Sequence, residues 1–289
     1  MKFNRSLLRG RRHRLADQRT VLIPNQWNGS VQQYFHFLLG YLAPVAKWTA
    51  QHPGQPIAVR DCGPMNRWFE LVQPETDIEI MTVGDVLHVL AGELQPNQVL
   101  RGMDYPDKFS ATDLGDFASW SRSVAARRSV APAECPPIVV SNRASSDEFF
   151  ATPAAEWPES GSQKRSVPNL PEICASIDDG DLRILDAAKV GIYEQIVLHS
   201  HAKILVGQHG AGLTNMIWMP AGAYVIEILP PMPAEARNIF EHLASTLGLH
   251  YSLVDQDSVH SPVDANSLRQ AIHRAKNSIA YKSKGPSNK

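Results

Sequence analysis

Between Gly207 and Asn215 the chain reads Gly-Gln-His-Gly-Ala-Gly-Leu-Thr-Asn, three glycines spaced G-x-x-G-x-G ahead of an apolar stretch. Glycines at the mouth of a helix let a ligand approach the backbone, where N–H groups and the positive helix end favour a phosphate. The spacing is neither the dinucleotide fingerprint nor a P-loop. Glycines packing a helix tightly on a sheet would leave the same letters. Glu227 lies in the next apolar run, Tyr224–Leu229, and an acid near such a strand end can take ribose hydroxyls. Its neighbours Ile226 and Ile228 make an unpartnered carboxylate costly at that position. Arg143 and Arg165 add cations whose forked guanidinium matches phosphate oxygens in pairs.

Other chemistries find less support. No D-x-D motif is present, and His199, His201, His242 and His250 are scattered without metal-ligand spacing. Arginines and helix N-termini are therefore expected to hold an anion without a divalent metal. Cys62, Cys135 and Cys174 are far apart, which suits a reducing compartment and neither a disulfide framework nor a zinc site. With 43% apolar residues, 20% charged residues and a net charge of −1, the chain reads as globular, with no overall basicity to attract nucleic acid. No apolar run approaches the roughly 20 residues of a membrane span, and Met1–Ala16 lacks a signal-peptide centre. A cytoplasmic protein is expected. Lys2, Arg5, Arg9, Arg11, Arg12 and Arg14 crowd beside Phe3, Leu7 and Leu8. That tail suits either an anionic membrane surface or plain solvation.

The elements that must position these residues alternate. Val21–Pro24, Pro56–Asp61, Ile78–Ile80, Leu87–Leu90 and Val99–Arg101 read as strands, and Ser30 with Gln33 opens a helix to about Leu42 at capping-box spacing. Asn66–Val72 and Asp113–Ala126 read as further helices, and the basic, Pro-rich stretch from Arg127 to Pro137 as a junction. Beyond it Ile138–Val140, Leu182–Leu185, Lys203–Val206, Tyr224–Leu229 and Tyr251–Val254 read as strands. Gly191–His201, Leu213–Met219, Pro233–Leu247 and Ser267–Tyr281 read as helices, and Ala151–Gln163 as a Pro/Ser-rich loop. The expectation is an α/β fold of two Rossmann-like domains, 1–135 (1–19 a basic tail) and 136–289, with parallel sheets and a cleft between them.

Ile192-Tyr193-Glu194-Gln195, the run from Ala202 through Asn215, Met219-Pro220-Ala221-Gly222-Ala223 and Glu227 together resemble the signature of glycosyltransferase family 61. The likeness is close from about Ser141 to Pro230 and loose before that, through Tyr34-Phe35-His36-Phe37-Leu38-Leu39. It implies a GT-B fold, metal-independent chemistry, inversion at the anomeric carbon and a donor nucleotide in the C-terminal half. The donor-binding residues it implies, taken with the reading above, are Arg143, Arg165, Gln195, His209, Gly210, Ala211, Gly212, Leu213, Thr214, Asn215 and Glu227. Two departures stand out. The Ser-Arg and Arg-x-Ile-x-Asn pair of the family appears as Ser141-Asn142-Arg143 and Arg165-Ser166-Val167-Pro168-Asn169, with an insertion between them. Gly40 stands where bacterial members carry an acid.

An inverting transfer needs a base for the acceptor hydroxyl, and the N-terminal half offers His36, Asp104 and Asp61. A histidine accepts a proton near neutral pH without special tuning; an aspartate needs help from position or burial. The expected activity is transfer of a sugar from a UDP-linked nucleotide sugar, with no separate cofactor, to a glycan or glycolipid in capsule or lipopolysaccharide assembly. The place expected for it is the cytoplasm or the inner membrane face. A non-catalytic nucleotide-sugar-binding subunit and a GT-B-like epimerase are the alternatives.

Overall fold

The computed structural model describes residues 19–24, 30–81, 97–128, 135–143, 161–177 and 180–283. The basic tail before residue 19, the strand expected at 87–90, the middle of the junction and most of the Pro/Ser-rich loop lie outside these residues. Among the described residues, those up to Asp104 form one compact unit and those from Tyr105 onward a second. The division falls earlier than the 135/136 boundary expected from the Pro-rich patch. Helix Ala111–Arg127 belongs to the second unit, where Trp218 Nε1 donates to Ser121 Oγ at 2.9 Å and Arg122 to the Trp218 carbonyl at 3.2 Å.

In the first unit, β1 (Thr20–Pro24), β2 (Ile57–Arg60), β3 (Ile78–Met81) and β4 (Asn97–Leu100) form a parallel sheet of order β3-β2-β1-β4. Val21-Leu22-Ile23 is apolar on both faces and buried on both, as a central parallel strand must be. Tyr34–Phe37, Leu38–Leu42 and Ala43–Gln51 run into one another as a single helix whose middle segment has π geometry. The capping box expected at Ser30 is instead a turn: Ser30 Oγ accepts from the Gln32 N–H at 3.1 Å and the helix starts at Tyr34. Tyr41 fastens this helix to the sheet, donating to the Leu22 carbonyl at 2.7 Å and accepting from the Arg60 N–H at 2.8 Å. The helix expected over Asn66–Val72 is a 3-10 helix, Gly63–Leu71.

The second unit holds β5 (Ile138–Asn142), β6 (Leu182–Asp186), β7 (Ile204–Gln208), β8 (Tyr224–Leu229) and β9 (His250–Asp255), all parallel, in the order β6-β5-β7-β8-β9. Helix Ala265–Ser283 covers one face with Leu268, Ala271, Ile272 and Ala275, packed on Val140, Val206 and Ile226 of the strands. The two sheets bear out the α/β expectation of two Rossmann-like units. In each, strand order reverses at one point, β1/β4 in the first and β5/β7 in the second. Ligands of open parallel sheets gather at the carboxyl ends of the strands flanking such a point. Among the described residues, no helix is long and apolar enough to cross a membrane.

Candidate functional site

Strands β5 and β7 end side by side and deliver Arg143 and His209 to the same point. Arg143 Nη2 donates to the His209 carbonyl at 2.9 Å, and Arg165 Nη1 donates to the same oxygen at 2.8 Å. Arg165 is carried there by a segment laced to the loop after β9. The Ser166 N–H donates to the Val259 carbonyl at 2.8 Å, and Asn169 exchanges two hydrogen bonds with the Val263 backbone. Gln208 and Gln256 close the lacing: both side-chain amides donate to the Ser166 carbonyl, and Gln208 also to Gln256 Oε1 at 2.6 Å. Burial and the neighbouring Arg165 push the Arg143 guanidinium down to about 10. Burial also lowers Arg165, with Glu227 acting against it. Two cations held together out of water favour an anion beside them.

Gly210 sits where this convergence leaves no room. Its φ is +147°, and a methyl group there would overlap the Arg143 guanidinium. Gly212 is needed by the protein's own packing, since a side chain would run into Ser141 Oγ before it met any ligand. Gly210, Ala211 and Gly212 are partly exposed, while Leu213, Thr214 and Asn215 are buried. The helix they open, Ala211–Trp218, is of 3-10 type where an α-helix over Leu213–Met219 was expected. Gln195, wholly buried, donates to the Ala187 and Val190 carbonyls at 2.7 and 2.8 Å and accepts from Asn215 at 3.2 Å. The signature thus divides into a surface half that meets the arginines and a buried half that holds it in place.

Glu227 corrects its expected role as a ribose acceptor. It has no exposed surface, and both carboxylate oxygens are engaged. One pairs with His209 Nδ1; the other accepts from the Tyr251 hydroxyl at 2.6 Å. The His209 ring meets Phe240 edge-on, centroids 5.0 Å apart. Burial and the Glu227 charge raise Tyr251 far above the usual phenol range, so its hydroxyl stays a donor. Tyr251 was not foreseen from the sequence. It stands opposite Val225 on β9, hence diagonal to Glu227 on one face of the sheet, and a hydroxyl in that apolar strand was the available signal. Ser141, Gln208 and Gln256 were missed as well.

In the first unit, the end of β4 brings Asp104 to His36, with Oδ2 2.9 Å from the imidazole Nδ1. Asp104 is buried, and its Oδ1 makes no hydrogen bond among the described residues. The π segment of the helix makes room for this approach. Met103 N–H donates to the Leu39 carbonyl at 2.9 Å, and a Cβ on Gly102 would stand 2.8 Å from Gly40 Cα. A Cβ on Gly40 would itself stand 3.0 Å from the Asp104 carboxyl. Where the sequence departs to Gly40, an acid arrives from the segment that follows β4. Asp61, the third base candidate, has Oδ1 accepting from the Gly63 N–H and from Asn66 Nδ2, both at 2.8 Å, which makes it the fixing residue of a turn. Among the described residues, no cluster of three His, Cys, Asp or Glu side chains could hold a metal.

Comparison with known proteins gives this geometry a setting. Over 103 residues the chain is 28% identical to the EGF domain-specific O-linked N-acetylglucosamine transferase of Drosophila melanogaster, covering 35% of this chain and 19% of that protein. Over 90 residues it is 33% identical to the beta-1,2-xylosyltransferase XAX1 of Oryza sativa subsp. japonica, covering 30% of this chain and 16% of that protein. The matched segments span less than a fifth of either relative. The family model described as Glycosyltransferase 61 matches residues 31–226, a range that contains His36, Asp104, both arginines and the whole glycine signature. The chain belongs to glycosyltransferase family 61.

Proposed function

We propose that this chain transfers a sugar from a UDP-linked nucleotide sugar to a hydroxyl of a glycan or glycolipid, with inversion and without a metal on the diphosphate. The observation that carries this reading is the convergence of Arg143 and Arg165 on the His209 carbonyl, beside the half-exposed backbone of Gly210, Ala211 and Gly212. Two desolvated guanidiniums can neutralise the charge that develops on the departing diphosphate, the task a divalent cation performs in other transferases. The first unit supplies the proton acceptor. His36, its Nδ1 held by Asp104, takes the acceptor's proton as the acceptor oxygen attacks the anomeric carbon. The two-unit architecture is the kind that GT-B enzymes carry.

The names of the relatives, an N-acetylglucosamine transferase and a xylosyltransferase, support an acceptor that is itself a glycan or glycoprotein. For this chain we favour capsule or lipopolysaccharide assembly at the cytoplasmic face of the membrane. The basic residues between Lys2 and Arg14 would rest there on anionic lipid. The test begins with titration calorimetry of UDP against the folded protein. Turnover of UDP-N-acetylglucosamine and UDP-xylose in excess chelator follows. UDP binding with turnover is expected; binding without turnover on any acceptor would favour a non-catalytic binding subunit. Failure of UDP and of other nucleoside diphosphates to bind would overturn the reading.

A further inference from the structure

Glu227 is a carboxylate without exposed surface whose two oxygens are shared between an imidazole and a phenol. Such a chain is costly to bury and serves little purpose as packing alone. It ends at His209, the residue whose carbonyl gathers both arginines. With Nδ1 committed to Glu227, the ring has Nε2 left, and this atom makes no hydrogen bond among the described residues.

We propose that the anion site of the second unit is proton-linked: binding a diphosphate draws a proton onto His209, whose imidazolium, held by Glu227 and Tyr251, becomes a third cation. This rests on the donor site proposed above and adds what that site does with protons. The charges facing His209 are opposed. Arg143 from the end of β5 and Arg165 from the segment before Asn169 disfavour a further positive charge; Glu227 from β8 favours it. Phe240, from helix Ile239–Thr246, is uncharged. Tyr251 is a fixed donor on Glu227, with Glu241 and Arg237 acting on it from outside. On the free protein the arginines and Glu227 act against each other at the ring; a bound diphosphate adds its charge to the side of Glu227. The coupling is reciprocal, so where the complex holds one proton more than its separated parts, affinity falls about tenfold for each pH unit of rise.

The experiment is calorimetry of UDP and of inorganic pyrophosphate at pH 7.5, in two buffers of different ionisation enthalpy, which counts protons exchanged per ligand. His209→Gln keeps the backbone carbonyl that the arginines need, and the difference between it and the wild type removes protons belonging to the ligand. The wild type is expected to take up more protons than His209→Gln and to lose UDP affinity between pH 6 and 9 more steeply. Tyr251→Phe removes one donor from Glu227, so its uptake is expected to move to higher pH. If His209→Gln does not fold, the displaced profile of Tyr251→Phe decides. Equal uptake in wild type and His209→Gln, or an unmoved profile in Tyr251→Phe, would overturn the proposal and leave the donor site standing. Absence of UDP and pyrophosphate binding in the folded wild type would overturn both.

Discussion

His36 Nδ1 stands 2.9 Å from Asp104 Oδ2 across 68 residues of sequence, and the approach leaves no room for a Cβ at Gly102 and little at Gly40. A carboxylate on Nδ1 fixes the orientation of the ring, the same division of labour that orients the histidine of a hydrolase triad. His36→Gln and Asp104→Asn are therefore expected to lower turnover by about 10²–10⁴. UDP affinity should be unchanged, because neither residue belongs to the donor cradle. Turnover within about twofold of wild type in both variants would remove this pair from the mechanism. Gly40→Ala, which brings a methyl group 3.0 Å from the Asp104 carboxyl, should reduce turnover in the same direction.

How much of this was legible in the sequence depends on range. Ile138-Val139-Val140 and Ile204-Leu205-Val206 announce buried parallel strands by composition alone, and both are fully buried. The arginine pair and the glycines could be read as an anion site because each residue type carries its own chemistry. The partners of Glu227 could not, since Tyr251 reaches it only through the register of β8 and β9. Asp104 meets His36 only because β4 lies beside β1, a pairing that no local pattern encodes. Helix Ala111–Arg127 shows an apolar face in Leu114, Phe117 and Ala118, yet nothing in that face says which sheet it will join. Composition suggested a boundary at the Pro-rich patch, whereas Trp218 and Ser121 tie that helix to the second unit.

Gly212→Ala should destabilise the fold more than an ordinary glycine replacement, because the new methyl group overlaps Ser141 Oγ. Overpacking of this kind costs about 1–3 kcal/mol. Ser141→Ala removes the hydroxyl and leaves only a tight contact at 3.2 Å from Cβ, so the double variant should recover much of the loss. Urea denaturation of the four proteins in a double-mutant cycle measures this coupling. Additive effects would mean that Gly212 is required for another reason.

Stability should fall on mild acidification through His199. This ring is wholly buried, donates from Nδ1 to the Gln195 carbonyl at 2.7 Å, and has no partner at Nε2 among the described residues. Burial pushes it down to about 4. The unfolded chain, with an ordinary histidine near 6.5, binds the proton first, so stability is complete above about pH 6.5 and is lost as pH falls toward 4. The loss attributable to this residue approaches about 3 kcal/mol. His199→Gln should flatten the denaturation profile between those limits. An equally steep profile in the variant would assign the acid sensitivity to other groups.

The arginine pair makes the most direct claim on the donor. Arg143 and Arg165 share one acceptor, the His209 carbonyl, so a diphosphate bound beside that oxygen would meet both guanidiniums. A hydrogen bond to a charged group contributes roughly 1.5–3 kcal/mol, so either alanine variant should weaken UDP binding by about 10- to 150-fold. The Lys variants should recover little, because a point charge cannot reproduce a fork that spans a carbonyl and a phosphate. The double alanine variant is expected to lose more than the sum of the singles. Once one cation is gone, the other is relieved of the repulsion that lowers Arg143, and it can settle against the ligand alone. Calorimetry of UDP against the two single variants and the double measures each arm. Raised salt should weaken wild-type binding more than that of the double variant. Unchanged UDP affinity in all three variants would place the diphosphate elsewhere on the protein and remove the basis for metal-free transfer.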